Sequence, residues 1–253
     1  MEGADPAAAA KLLHAGHHAE ALALVRQMFA DAACAVAPER PAFFMTMFTW
    51  ELLAEAYAPA RTALAALRDE QAARLLAGDL YCDAGAGGMA DYRRTGRFSL
   101  VIQMNRILGD APATHALFVQ IETAQPALAR SSAWQALPAM VEVGDFALAD
   151  RYRGDPLALL DEVNDMARHL PLFPLPRTAP RLIADLMNLT GSVGIGMAVL
   201  RGLGRAAESD ALGQALLGGL ESSEVRALAA RELIDPGTIN RELVAHQMAQ
   251  ESS

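Results

Sequence analysis

Apolar residues recur along this chain at helical spacing from one end to the other. In the segment HHAEALALVRQMFADAACAV, one stripe carries Ala21, Leu24, Val25, Met28 and Phe29. Apolar residues three and four positions apart are typical of an amphipathic helix. The same period returns in short segments that are separated by Gly, Pro and polar residues. The pattern therefore predicts an all-α protein of roughly a dozen short helices.

Two segments interrupt this pattern. Residues 82–96, CDAGAGGMADYRRTG, contain four glycines and few apolar side chains, which predicts a long loop. Residues 171–180, PLFPLPRTAP, are rich in proline and mark a boundary. We therefore expect an N-terminal helical-repeat region over residues 1–170 and a C-terminal helical region over residues 181–253, packed together as one continuous domain.

Several predicted turns share one pattern. The segments LGDAPATHALF and VGDFALADRY align Gly109 with Gly144 and Asp110 with Asp145, at a separation of 35 residues. This separation is close to the ~34 residues of a helix-pair repeat. Glycine suits such a turn because the residue that ends the first helix adopts a left-handed conformation.

With these turns, the chain resembles the tetratricopeptide-repeat-like (TPR-like) family of helical repeat proteins. The residues that carry the resemblance are Gly16 with Ala21, Gly109 with Ala116, Gly144 with Phe146 and Ala149, and Gly204 with Ala211. The resemblance implies an α-α superhelix of antiparallel helix pairs. It also implies binding of a protein or peptide partner, and no catalysis.

Charge and lysine content narrow the classes of function. The formal net charge is −9, and an acidic chain repels the phosphate backbone of nucleic acids. Lys11 is the single lysine, so the chain has no Gly-Lys-Ser/Thr triplet of a nucleotide-binding P-loop and no suitable lysine for Schiff-base chemistry. We expect no nucleic-acid partner and no catalytic residue.

The cysteines, the N-terminal stretch and the apolar runs indicate in which cellular compartment the protein is found. Cys34 and Cys82 are too few for a disulfide framework, and the N-terminal stretch carries acids where a signal peptide carries positive charge. The longest uncharged apolar run, from Leu186 to Leu200, is shorter than the ~18 residues of a membrane span. These features predict a cytoplasmic protein with reduced thiols and no membrane span.

Arginines cluster beside the Gly-rich segment. Arg93, Arg94 and Arg97 lie in YRRTGRF, the one locally basic stretch. The planar guanidinium group binds carboxylates and phosphates in a forked geometry, so these residues are our candidates for contact with an anion or a partner. Acidic helices of the same fold would pair with the three arginines equally well.

Other clusters favour structural interpretations. His14 and His18 would share a metal ion only on a continuous helix, and we expect Gly16 to end that helix. Glu162, Asp165 and His169 share a predicted helical face but have no matching partner helix. We therefore expect no metal ion and no cofactor. Three glycines of a later segment lack the context of a dinucleotide-binding loop and indicate close packing between helices: Gly191, Gly194 and Gly196.

Three functions follow as hypotheses, the first of which is a binding module that lacks catalytic activity. Its aromatic residues Phe43, Phe44, Phe48 and Trp50 would belong mostly to the core, and any that prove exposed would form the binding patch.

The second hypothesis is an enzyme or small-molecule-binding protein with a cavity inside the helical array, which a buried His115 or His246 facing a carboxylate would support. The third is a homodimer, which a large exposed apolar patch on the predicted helix from Ala42 to Tyr57 would support.

Overall fold

The computed structural model describes residues 5–35, 40–83, 94–176 and 178–251. Within these ranges the regular structure consists of thirteen α-helices, and an isolated antiparallel bridge joins Tyr81 to Gly96. The prediction of an all-α protein with about a dozen short helices is therefore confirmed.

The helices divide between two compact units, Met1–Ala139 and Met140–Ser253, with the division inside the seventh helix. The first seven helices are α1 (Pro6–His14), α2 (His18–Cys34), α3 (Arg40–Ala56), α4 (Ala58–Leu76), α5 (Arg97–Leu108), α6 (Ala111–Ala124) and α7 (Pro126–Glu142). The remaining six are α8 (Phe146–Tyr152), α9 (Leu160–Ala167), α10 (Arg181–Gly202), α11 (Ala206–Gly219), α12 (Ser223–Ile234) and α13 (Thr238–Glu251).

Helices α1 to α6 of the first unit contact mainly their neighbours and next neighbours along the chain. Helix α3, for example, packs against α1, α2, α4 and α5. Helices α4 and α5 run antiparallel, since Arg61 near the start of α4 donates to the Leu108 carbonyl at the end of α5, while Gln71 meets Arg97 at the opposite ends. Helices α1 to α5 share a core that includes Val25, Met47 and Trp50.

The second unit is organised around one long helix. Helix α10 contacts α8, α9, α11, α12 and α13, and its buried side chains form much of a core that includes Leu186, Leu189 and Val193. The proline-rich segment 171–180, which the sequence pattern predicts as a boundary, lies within this unit.

Helix α10 is also the one described helix that is long and apolar enough to cross a membrane, judged by length and composition alone. Its most apolar 18-residue window has a mean hydropathy of 1.5, and 44% of that window is buried. In this structure the buried side of α10 packs against five other helices of its unit.

The four turn glycines have the backbone conformation that the sequence predicts. Gly16, Gly109, Gly144 and Gly204 all have positive φ, between 66° and 82°. At Gly109 the glycine N–H donates to the Arg106 carbonyl and the next N–H donates to Asn105, which is the hydrogen-bond pattern of a Schellman motif. The other three glycines show the same pair of bonds, so one type of turn recurs along the chain.

At two of these turns the following aspartate begins the next helix. The Asp110 carboxylate accepts from the Ala113 N–H at 3.0 Å, and the Asp145 carboxylate accepts from the Leu148 N–H at 3.1 Å. Each Gly-Asp pair thus ends one helix and caps the next, which explains why the sequence pattern predicts both turns.

Candidate functional site

The structure places Arg97 inside the first unit. Its side chain is 1% exposed, and its guanidinium group donates to the Asp79 carbonyl at 2.7 Å and to the Asp79 carboxylate at 2.8 Å. It also donates to the Gln71 side chain and to the Tyr81 carbonyl. Arg97 therefore ties α4 and the segment after it to the start of α5.

Asp79 is held ionised by this arrangement. Partial burial acts to raise the pKa of its carboxyl, but hydrogen bonds from Arg74 and Arg97 outweigh burial, and the pKa lies below its ordinary value. The charge of Arg97 is thus compensated within the unit.

Arg94 is half-buried and also has partners within the unit. Its Nε donates to Asp83 Oδ1 at 2.9 Å, and its guanidinium group lies 4.0 Å from the centre of the Tyr81 ring. The Asp83 carboxylate also accepts from the Thr95 N–H at 3.0 Å. Arg93, the third candidate, lies outside the described residues. A role for the three arginines in binding a partner stays a prediction.

The aromatic residues of α3 divide between core and surface. Phe43 and Trp50 are buried, and Trp50 Nε1 donates to the Ala60 carbonyl at 3.1 Å. Phe44 is 61% exposed, Phe48 is 46% exposed and Leu52 is 38% exposed. These three residues follow each other at intervals of four, so they form one exposed line on the helix. We call them the α3 stripe.

The two phenylalanines of the α3 stripe stack on each other, and Phe44 also lines a hollow. Their ring centroids are 6.4 Å apart and the ring planes differ by 11°. A hollow of about 270 Å³ beside Phe44 has apolar and polar lining residues, which are Phe43, Leu100, Arg94, Thr95, Gly96, Ser99 and Gln103. The α3 stripe thus continues into a shallow recess with polar edges.

A second hollow lies in the second unit between α10 and the end of α12. It measures about 290 Å³, and Gly191 and Gly194 are among its lining residues. Among the described residues, a Cβ atom added to either glycine would meet no atom within 4 Å beyond its own helix backbone, whereas at Gly196 it would lie 3.0 Å from Pro156 and from Leu212. The expectation of close packing is therefore confirmed for Gly196 and is wrong for Gly191 and Gly194, which face open space.

The histidines that sequence analysis considered lie in separate surroundings. His14 ends α1 and Gly16 separates it from His18 on α2, as expected. His17 contacts Glu20 at 3.0 Å, and His246 stacks on Phe173 with ring centroids 5.3 Å apart. Within the described ranges, no group of three or more His, Cys, Asp and Glu residues could hold a metal ion.

Cys82 lies beside the Arg97 network and is buried, whereas Cys34 is exposed. Burial raises the pKa of the Cys82 thiol to about 12, and the nearby charge of Arg97 offsets only part of that increase. The Cys82 thiol therefore stays protonated and contributes packing rather than reactivity.

Sequence reasoning missed two parts of this site. The sequence does not indicate that Phe44 and Phe48 are exposed while the other aromatic residues of α3 are buried, because this helix is apolar on nearly every side. The acidic partners of Arg97 and Arg94 did have a signal, since Asp79 precedes the Gly-rich segment and Asp83 lies at its start. No protein-family model matches the chain, and no curated protein or solved structure matches it significantly.

Proposed function

We propose that this chain is a non-catalytic helical-repeat module that binds a protein or peptide partner through the α3 stripe. The exposed, mutually stacked Phe44 and Phe48 carry the proposal. Large apolar side chains that are adjacent on a surface mark interaction sites more often than scattered ones do, and aromatic residues contribute strongly to binding energy.

The arrangement of the first unit supports the module hypothesis. Its helices α1 to α6 contact mainly neighbours and next neighbours in sequence, which is the contact pattern of a stack of helical repeats. The Schellman turns at Gly16 and Gly109 recur within this unit. We propose that these helix pairs stack in the manner of a TPR-like superhelix.

The recess beside the α3 stripe supports a polypeptide partner. An apolar side chain that packs on Phe44 and Phe48 would bring its own backbone beside the polar edge formed by Ser99 and Gln103. Arg94 lines the same recess, and its bonds to Asp83 hold it in place. In this proposal Arg94 and Arg97 stabilise the recess, and Arg94 also contributes part of its surface.

Site-specific photo-crosslinking tests the proposal. A photoreactive phenylalanine analogue replaces Phe48 in one variant and Val119, which is 39% exposed on α6, in a matched control. We expect a polypeptide adduct at position 48 that is absent at position 119 and is lost when Phe44→Ser is added. The adduct is then identified, and its affinity for the unmodified chain is measured by calorimetry.

The contrary result is equally clear. If position 48 yields no adduct above the level at position 119, whether to another protein or to a second copy of this chain, the α3 stripe is not a binding surface.

A further inference from the structure

We propose that the partner at the α3 stripe is a second copy of this chain, with the two α3 helices antiparallel about a two-fold axis at Phe48. This inference rests on the proposed function, because it names the partner of the same surface. It is argued from the spacing of the stripe and from the charges at its two ends.

The spacing of the α3 stripe is self-complementary. Its three residues lie four positions apart, which corresponds to about 6 Å along the helix between one side chain and the next. A two-fold axis through Phe48 sets Phe48 against the partner copy's equivalent phenylalanine and sets Phe44 against the equivalent of Leu52. An interface between identical copies requires this symmetry, because the same patch serves both sides.

The two ends of the α3 stripe differ in electrostatic character. The Phe44 end lies near the N-terminal ends of α3 and α5, where the helix dipole is positive; Arg94 also lies there, but Asp83 compensates its charge. Glu51 and Glu55 occupy the last two turns of α3 at the other end, where the dipole is negative. An antiparallel arrangement therefore brings ends of opposite character together.

This complementarity matters because the whole chain is acidic. With a net charge of −9, two copies repel each other at long range, so association needs a surface that is uncharged at its centre and complementary at its ends. The three side chains of the α3 stripe are uncharged, and only the antiparallel orientation pairs their flanks favourably. A parallel orientation would place Glu55 beside its own copy.

The size of the α3 stripe determines how tightly we expect two copies to associate. Three side chains on one helix bury less area than the ~1,200 Å² of a typical stable interface. We therefore expect a reversible dimer with a Kd of about 10–100 μM.

Sedimentation equilibrium of the full chain tests the two-fold arrangement. We expect Phe48→Glu and Phe48→Lys each to weaken dimerisation at least about ten-fold, because each places two like charges face to face. An equimolar mixture of the two variants should restore the dimer, since the axis then brings opposite charges together. The mixture of Phe44→Lys with Leu52→Glu should restore it too, which provides a second pair if one variant folds poorly.

Ile234→Glu is the matched control, because Ile234 is 85% exposed in the second unit and gains the same charge. We expect it to change the Kd less than about two-fold. If Ile234→Glu weakens the dimer as much as Phe48→Glu does, net charge and not the α3 stripe governs association, and the inference is wrong.

Two other outcomes separate this inference from the proposed function. A wild-type chain that stays monomeric at about 1 mM, yet crosslinks another protein at position 48, overturns self-association and leaves the binding function standing. A dimer that neither variant mixture restores overturns the antiparallel arrangement at Phe48.

Discussion

Ser209 lies on α11 with its side chain fully buried, and its hydroxyl has no hydrogen-bond partner among the residues that the structure describes. A buried polar group in this state costs about 1–3 kcal/mol. We therefore expect Ser209→Ala to raise the free energy of unfolding by about 1 kcal/mol in urea denaturation.

Asn164 provides the contrast for that measurement. Its side chain donates to the Gly219 carbonyl and accepts from the Glu221 N–H, both at 2.9 Å. Asn164→Ala should lower the free energy of unfolding by about 1–3 kcal/mol, because it leaves two backbone groups without their partner. If Ser209→Ala is as destabilising as Asn164→Ala, the Ser209 hydroxyl has a partner after all.

The contact between α8 and α10 depends on the absence of a side chain. A Cβ atom at Gly202 would lie 2.2 Å from the Phe146 ring. Gly202→Ala should therefore lower the free energy of unfolding by about 1–3 kcal/mol, measured by thermal and urea denaturation. The cost should shrink when Phe146→Ala is present, because the clashing ring is then gone.

Gly194→Ala is the control for Gly202→Ala on the same helix. Its new methyl group meets open space, and alanine favours the helix over glycine by about 1 kcal/mol. We expect Gly194→Ala to stabilise the protein. Equal effects of the two substitutions would contradict the close approach of α8 and α10 at Gly202.

Asp110 joins three helices of the first unit and makes their contact sensitive to acid. Its carboxylate caps α6 and accepts from Arg68 of α4 at 3.0 Å. Partial burial acts to raise the pKa of Asp110, but Arg68 and the Ala113 N–H lower it by more, so the folded pKa lies below the ordinary value.

The pH dependence follows from this sign. Because the folded pKa is depressed, Asp110 contributes stability above the unfolded pKa of about 3.9, and this contribution is lost as pH falls through the folded pKa. Asp110→Asn keeps the capping oxygen and removes the charge. It should cost less than about 1 kcal/mol at pH 7, and the difference should shrink as pH falls below about 3.9 and through the folded pKa of Asp110, measured in parallel denaturation curves. A constant difference across that range would show that the charge is not its source.

At the scale of the whole molecule, the sequence predicts correctly those structural features that neighbouring residues determine. Helix periodicity and the Gly-Asp turns at Gly109 and Gly144 depend on residues close in the chain, and the structure confirms both. The surroundings of Arg97 could not be predicted in the same way, because its partner Gln71 lies 26 positions away in the chain. The open faces of Gly191 and Gly194 could not be predicted either, since they depend on what another helix leaves uncovered.

The arrangement of helices in the two units has a consequence for how the chain folds. In the first unit most contacts join helices that are adjacent in sequence, so each new helix closes only a short loop. In the second unit α8 and α9 precede their common centre, α10. During synthesis, the first unit can therefore gain structure helix by helix. The apolar faces of α8 and α9 cannot pack against α10, and stay exposed to solvent, until α10 has left the ribosome.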